Sequence, residues 1–246
     1  MFPILNIGPL AIQAPGLIIL AGIYISLVVL EKQYKYFKAN PNDLSNLIFV
    51  YLLSTIVIGR FAYLFKYPSI LVENPLSIVS LNPNLIDFPS GLIMSILVAL
   101  IYLQKKKMNL KEVLDSYSIP FLVFLVFFFF AQFSSGNLFG KPSDLPWSIQ
   151  LWGTTRHPLQ LYYVFGLIPI ILVMVKALKT RQNPGLFFVK SIALLSFLVV
   201  FLDYFNGDPK NMVGNFNVIQ MAAWVSLLIC IGIIVSTKQI IQPEDS

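Results

Sequence analysis

Basic, imidazole and amide side chains follow one another closely in one stretch of the chain. Arg156, His157, Gln160 and Tyr162 all fall within the sequence RHPLQLYY. A guanidinium group binds phosphate oxygens through paired hydrogen bonds, and an imidazole accepts or donates a proton near neutral pH. The run therefore favours a site that binds an anion. His157 is the only histidine, and its structural alternative is to cap a helix start or to hydrogen-bond a carbonyl.

Further polar residues stand at the ends of apolar runs, where an ionisable side chain is costly unless it has a function. Arg60 lies inside one such run and could instead reach outer headgroups or pair with Asp203 for structure alone. Gly136 and Gly140 permit a tight turn or a close approach of two backbones. We predict that nine residues of the chain bind a lipid headgroup or substrate: Gln132, Gly136, Asn137, Gly140, Lys141, Gln160, Tyr162, Asp203 and Asn206. Asp87 opens a further apolar run on the same side.

The elements that position these residues are membrane-spanning helices. Of the 246 residues 57% are hydrophobic and only 11% are charged, whereas a soluble domain carries about 25% charge. About 20 apolar residues cross the hydrocarbon layer as a helix, in which every backbone polar group is satisfied internally. Seven apolar runs predict an all-α polytopic membrane protein: Pro9–Leu30, Leu47–Phe65, Asp87–Leu103, Ser118–Phe133, Leu159–Leu178, Leu186–Tyr204 and Val218–Val235.

The lysines predict the orientation of these spans. The first, third and fifth loops are basic, with Lys105, Lys106 and Lys107 as the densest cluster, and the basic side of a membrane protein is cytoplasmic. The N-terminus is then outside, the C-terminus is in the cytoplasm, and the polar set gathers at the outer leaflet. We expect one transmembrane domain, 1–246, with outer loops at about 66–86 and 134–158. The first of these loops is apolar enough to lie on the membrane, and the second is predicted to be irregular chain.

Composition and motifs exclude several other functions. The net charge of +6 comes from short lysine clusters between apolar runs, without the aromatic interleaving of a nucleic-acid-binding surface. One histidine, one cysteine and no carboxylate cluster leave no metal site, and no phosphate-binding glycine motif indicates a cofactor.

Arg60, Arg156, Lys141 and Lys210 form a predicted outer rim for an anionic lipid headgroup.

Several segments, in this order, resemble the bacterial prolipoprotein diacylglyceryl transferases. They are IGPLAIQAPGLIILAG, GRFAYLF, FPSGLI, FFFAQFSSGNLFGKP, RHPLQLYY, VFLDYFNGDP and NVIQMAAW. RHPLQLYY closely matches the family's Arg-His-Pro-x-Gln-Leu-Tyr-Glu. The resemblance implies a multi-pass protein of the bacterial cytoplasmic (inner) membrane. It implies transfer of diacylglyceryl from phosphatidylglycerol, or another anionic phospholipid, to the lipobox cysteine of a secreted preprotein, with His157, Arg60 and Arg156 as catalytic residues.

The sequence also departs from the family pattern at defined positions. Phe129 and Asn206 stand where the family has arginines, Pro89 where it has a histidine, and Asn137 where it has a glutamate. These departures keep a second hypothesis open, in which the chain is a non-catalytic module that binds a lipid or a preprotein. A small-solute transporter is a third hypothesis, although transporters place their polar groups near the bilayer midplane.

Overall fold

The structure is a computed structural model, and it describes residues 4–7, 10–73, 75–79, 82–180, 183–207, 212–213 and 216–241. Among these residues seven helices are long and apolar enough to cross a membrane, as the seven apolar runs predict. With the short helix α3, the helices are α1 (Ala14–Gln33), α2 (Pro41–Lys66), α3 (Ser69–Glu73), α4 (Phe88–Lys105), α5 (Leu110–Ser135), α6 (Leu159–Ala177), α7 (Leu186–Leu202) and α8 (Val218–Ile241). The predicted helical membrane architecture is confirmed, while the orientation of its termini stays a prediction.

Local sequence explains where several helices begin. The Asn40 side chain accepts a hydrogen bond of 2.9 Å from the backbone N–H of Asn42, and Pro41 opens α2. Asp87 caps α4 in the same way, accepting from the N–H of Ser90 at 3.3 Å. A side-chain oxygen at this position satisfies one of the N–H groups that a helix start leaves without a partner. Asp87 is therefore a helix cap.

The chain forms two compact units. One is Lys38–Val113, in which α2 packs closely against α4, and the other combines Met1–Phe37 with Leu114–Ser246. The second unit contains a core of buried apolar residues from α5, α6 and α7, and its largest fully buried members include Leu122, Leu159 and Leu167. The prediction of one transmembrane domain over 1–246 stays a prediction.

Helix α5 begins eight residues before the predicted span, because its first turns are polar and hydropathy alone does not include them. Asp115 in these turns is fully buried, and its two carboxylate oxygens accept hydrogen bonds of 2.8 Å from the N–H groups of Gly185 and Phe188. Asp115 therefore caps the start of α7. Nearby, the side-chain amide of Gln33 donates to the carbonyl of Ser116 at 2.6 Å. Buried polar groups therefore lie near the start of α5 as well as near the other end of the helix, where the predicted polar set begins.

The described part of the chain contains three short antiparallel hairpins, one before α1, one between α5 and α6, and one between α7 and α8. They are β1 (Ile4–Ile7) with β2 (Leu10–Gln13), β3 (Ile149–Leu151) with β4 (Thr154–Arg156), and β5 (Met212–Val213) with β6 (Phe216–Asn217). The prediction of irregular chain across 134–158 is therefore wrong for its second half. The 66–86 loop contains α3 and two 3₁₀ turns, and its Val72 and Leu76 side chains are 84% and 74% exposed. Its location at the membrane surface stays a prediction.

Candidate functional site

The polar residues from the second unit meet where three helices end on the same side. Helix α5 ends at Ser135, α6 begins at Leu159 and α7 ends at Leu202. The segments 136–158 and 203–207 connect or continue these ends. Gly136 stops α5: it adopts φ +75°, and the N–H of Asn137 donates to the carbonyl of Gln132 at 3.1 Å. This bond closes a helix C-terminus of the Schellman type, so the backbones of Gln132 and Gly136 form a helix end.

The hairpin β3–β4 positions Arg156 and His157. Its two-residue turn, Trp152-Gly153, has φ values of +54° and +79°, as a type I′ hairpin turn requires. The indole N–H of Trp152 donates to the carbonyl of Gly136 at 3.1 Å and so ties the tip of the hairpin to the end of α5. The other edge of β4 pairs with the preceding chain through a bridge between Pro142 and Arg156.

Four backbone hydrogen bonds hold the loop before the hairpin, two of them with His157 and two with the segment that follows α7. Gly140 N–H donates to the His157 carbonyl at 3.1 Å, and His157 N–H donates to the Lys141 carbonyl at 3.1 Å. Lys141 N–H donates to the Phe205 carbonyl at 2.8 Å, and Gly207 N–H donates to the Phe139 carbonyl at 3.0 Å. A Cβ at Gly140 would lie 2.6 Å from both the Cβ and the carbonyl oxygen of His157. Position 140 therefore requires glycine, because the two backbones touch there.

His157 takes part in a chain of hydrogen bonds. Its Nδ1 lies 3.0 Å from the hydroxyl of Tyr162, and that hydroxyl accepts a 2.8 Å hydrogen bond from the indole N–H of Trp147. The ring of Phe205 packs edge-on against His157 with 5.1 Å between centroids. The phenol oxygen has two lone pairs, so it can accept from both Trp147 and the imidazole Nδ1–H. In that arrangement the second imidazole nitrogen is an acceptor, which is what proton abstraction needs.

Two cations flank this chain, and each lies over an aromatic ring. The guanidinium carbon of Arg156 is 4.8 Å from the centroid of Phe139, and the Lys141 ammonium is 4.4 Å from the centroid of Tyr204. Arg156 also donates to the carbonyls of Leu151 and Gly140 at 3.3 and 3.4 Å. A guanidinium has five N–H donors, so three of those on Arg156 have no hydrogen-bond partner among the described residues and can bind an anion. Sequence reasoning identified both cations but missed Phe139 and Tyr204, for which an aromatic next to a polar run is only a weak signal.

Three more of the predicted residues are buried. Gln160 is fully buried, and its amide N–H donates to the backbone carbonyl of Asn137. Asp203 is 4% exposed and accepts a 2.9 Å hydrogen bond from the side-chain amide of Asn206. Asn206 also forms a backbone bridge with Gly140. The structure thus brings Gln160, Asp203 and Asn206 into the same end of the bundle as His157.

Arg60 belongs to the other unit. It is 7% exposed, and it donates to the carbonyl of Leu85 at 3.3 Å. Its approach to His157 and Arg156 stays a prediction, as does its alternative pairing with Asp203. Lys210 of the predicted cationic rim lies outside the described residues. Among the described residues no group of three or more His, Cys, Asp or Glu side chains has the arrangement of a metal site.

The chain is similar to one family along almost its whole length. Residues 3–237 match the family model described as prolipoprotein diacylglyceryl transferase. A Bordetella parapertussis protein is 30% identical over 233 residues, which cover 91% of this chain and 88% of that protein. A Bordetella avium protein is 31% identical over 242 residues, covering 93% and 90%, and a Polynucleobacter asymbioticus protein is 29% identical over 199 residues, covering 78% and 76%. All three relatives are named phosphatidylglycerol–prolipoprotein diacylglyceryl transferase.

Proposed function

Because this chain belongs to the prolipoprotein diacylglyceryl transferase family, we propose that it transfers the diacylglyceryl group of phosphatidylglycerol to the cysteine thiol of a secreted prolipoprotein. The acceptor cysteine is expected in a lipobox. The thiol sulfur forms a bond to the glycerol carbon of the diacylglyceryl group, and the bond from that carbon to the phosphate oxygen breaks. Glycerol phosphate leaves with the electron pair, and the thiol proton passes to a base. The observation that carries this proposal is the family match along residues 3–237. The matched region includes the hydrogen-bond chain of His157 and the two cations that flank it.

His157 is proposed as the base. The thiolate is the nucleophile in such a reaction, so a proton acceptor near the thiol raises the rate. Tyr162 orients the imidazole at 3.0 Å, and Trp147 orients the Tyr162 hydroxyl at 2.8 Å. A hydrogen bond from the Nδ1–H of His157 to that hydroxyl leaves Nε2 available to accept the thiol proton. The same logic makes Tyr162 a positioning residue that acts through His157.

Arg156 and Lys141 are proposed to stabilise the phosphate of the leaving group. Charge that develops on phosphate oxygens is best stabilised by donors that are already in place. The aromatic rings under both cations and the two carbonyl contacts of Arg156 hold them in place. Arg60, which resembles a family arginine, is proposed as a further catalytic residue on the ground of that resemblance. These roles require the lysine-poor face of the protein to be the outer face of the bacterial inner membrane.

The test uses the full-length protein in vesicles of phosphatidylglycerol with a synthetic lipobox peptide. We expect mass spectrometry to show a peptide that carries a diacylglyceryl thioether, and no product when the cysteine of the peptide is replaced by serine. His157→Ala is expected to lower the rate by about 10²–10⁴, the usual contribution of a general base. Bound phosphatidylglycerol without any product would refute the transferase and identify the chain as a lipid-binding module.

A further inference from the structure

Gln160 carries a buried oxygen that no described residue of the protein satisfies. The residue is fully buried at the start of α6. Its Nε2 donates to the carbonyl of Asn137, which fixes the orientation of the amide because a carbonyl only accepts. Within the described part of the chain, Oε1 has no hydrogen-bond partner. A buried polar atom of this kind costs free energy unless a ligand or water completes it.

Asp203 presents a second oxygen of the same kind. It is 4% exposed at the end of α7, and its Oδ1 accepts from the Asn206 amide at 2.9 Å. Its Oδ2 is buried and has no hydrogen-bond partner among the described residues. Both unpaired atoms are therefore oxygens that accept hydrogen bonds. A phosphate group brings no donor to match them, whereas an alcohol does.

The two oxygens belong to one region of the bundle. Gln160 and Tyr163 are one turn apart on α6, so their side chains share a face of that helix. Asp203 lies within electrostatic range of Tyr163 and also of Lys141. The Lys141 ammonium in turn lies over Tyr204, the residue that follows Asp203. A cation suited to a phosphate thus stands beside acceptors suited to hydroxyl groups.

We infer that Gln160 Oε1 and Asp203 Oδ2 accept hydrogen bonds from the headgroup hydroxyls of phosphatidylglycerol, and so select a donor lipid with a polyol headgroup. This inference rests on the proposed function, which places the donor lipid at this site. Lys141 and Arg156 recognise the phosphate, which many anionic lipids share. The two buried oxygens recognise the glycerol beyond the phosphate. The specificity of the site for its lipid then comes from atoms that do not take part in bond breaking.

The experiment compares lipids that differ only in the headgroup alcohol. The full-length protein is placed in nanodiscs, and phosphatidylglycerol and phosphatidylmethanol with identical acyl chains compete with a fluorescent phosphatidylglycerol. Both lipids carry one negative charge, but only phosphatidylglycerol has headgroup hydroxyls. Two hydrogen bonds, one to the Gln160 amide oxygen and one to the Asp203 carboxylate, predict a preference for phosphatidylglycerol of about tenfold or more. Phosphatidylethanolamine is the third competitor. Its ammonium group is also a donor, so this lipid tests whether the site selects hydroxyl groups, and it should bind more weakly than phosphatidylglycerol.

Asp203→Asn tests the carboxylate oxygen at matched size. The substitution keeps an acceptor for Asn206 and puts an N–H donor in place of Oδ2, so the preference should fall by about three- to tenfold. The ratio of the two affinities is the readout, because the lost charge affects both anionic lipids equally. Gln160→Met should lower the same ratio, and Asp144→Asn, at an exposed position in the 134–158 loop, should leave it unchanged.

Three results would overturn the inference: equal binding of the two anionic lipids by the unaltered protein, tighter binding of phosphatidylethanolamine, or an unchanged ratio in Asp203→Asn. The first two results are measured on the unaltered protein, so they test the inference even when a substituted protein does not fold. Failure of the proposed function is a separate observation, since the headgroup preference would then persist while no thioether formed on the lipobox peptide.

Discussion

Replacing Gly140 by alanine tests the whole arrangement of the site with one methyl group. The added Cβ would lie 2.6 Å from the Cβ and the carbonyl oxygen of His157, and ordinary contact begins at 3.4 Å. The two backbones must therefore separate by several tenths of an ångström, to nearly 1 Å. The Gly140–His157 hydrogen bond of 3.1 Å lies directly at this contact, so His157 moves away from the cations that flank it.

The expected effect is on the rate more than on the fold. A displacement of about 1 Å in a catalytic group costs about 10²-fold, so Gly140→Ala should lower kcat by about 10- to 100-fold. The assay is thioether formation on a lipobox peptide in phosphatidylglycerol vesicles, with circular dichroism and thermal unfolding to show that the helices remain. Gly232→Ala is the matched control, because its added Cβ meets no atom within 4 Å in α8. A Gly140→Ala protein with unaltered kcat would refute the contact between the two backbones as the element that positions His157.

Three further substitutions separate the roles of individual side chains. Tyr162→Phe removes the partner of the His157 Nδ1 and should lower kcat about tenfold with little change in KM, as steady-state kinetics would show; equal changes in both constants would contradict a positioning role. Arg156→Lys removes the two carbonyl contacts and the planar fork, so kcat should fall by about 10²–10³, and a rate near that of the unaltered protein would remove Arg156 from the phosphate site. Asp115→Ala leaves two N–H groups of α7 uncapped and should lower the free energy of unfolding by about 1–3 kcal/mol, measured by thermal unfolding against the exposed Asp144→Ala; equal stability of the two variants would contradict the cap.

The sequence predicts the spanning helices well because a membrane imposes one dominant requirement. Each span needs about 20 apolar residues, and hydropathy reads that length directly. The same measure misses polar turns that continue a helix beyond the hydrocarbon layer, which is why α5 begins at Leu110 and not at Ser118. Asp115 shows that a hydropathy profile does not predict contacts between distant segments of the chain. Its partners, Gly185 and Phe188, are about 70 residues away in sequence, so its role as a cap depends on how α5 and α7 pack.

The candidate site was predicted by residue type and only partly by arrangement. The sequence indicated His157, Arg156 and Lys141, but the contacts that hold them come from residues whose types carry no chemical signal. Phe139 and Phe205 supply backbone partners and ring contacts, and hydrophobic residues are too common in a membrane protein to be singled out. The hairpin had a clearer signal, since Trp152-Gly153 separates two short alternating runs by two residues, as a hairpin turn does.

Phe129 bears on where the proposed phosphate-binding cations of the second unit are located. By resemblance this position of α5 carries an arginine in the family, but here the ring is 9% exposed and stacks on Tyr163, with 4.2 Å between centroids and 4° between planes. Both faces of such a pair are apolar, so α5 offers no phosphate ligand at this level. The cations proposed to bind the phosphate then come from the segment that follows α5, where Lys141 and Arg156 lie over aromatic rings. A cation over a ring is attracted by the π-electrons without using its N–H groups as donors, so these contacts restrict the two side chains of the proposed site.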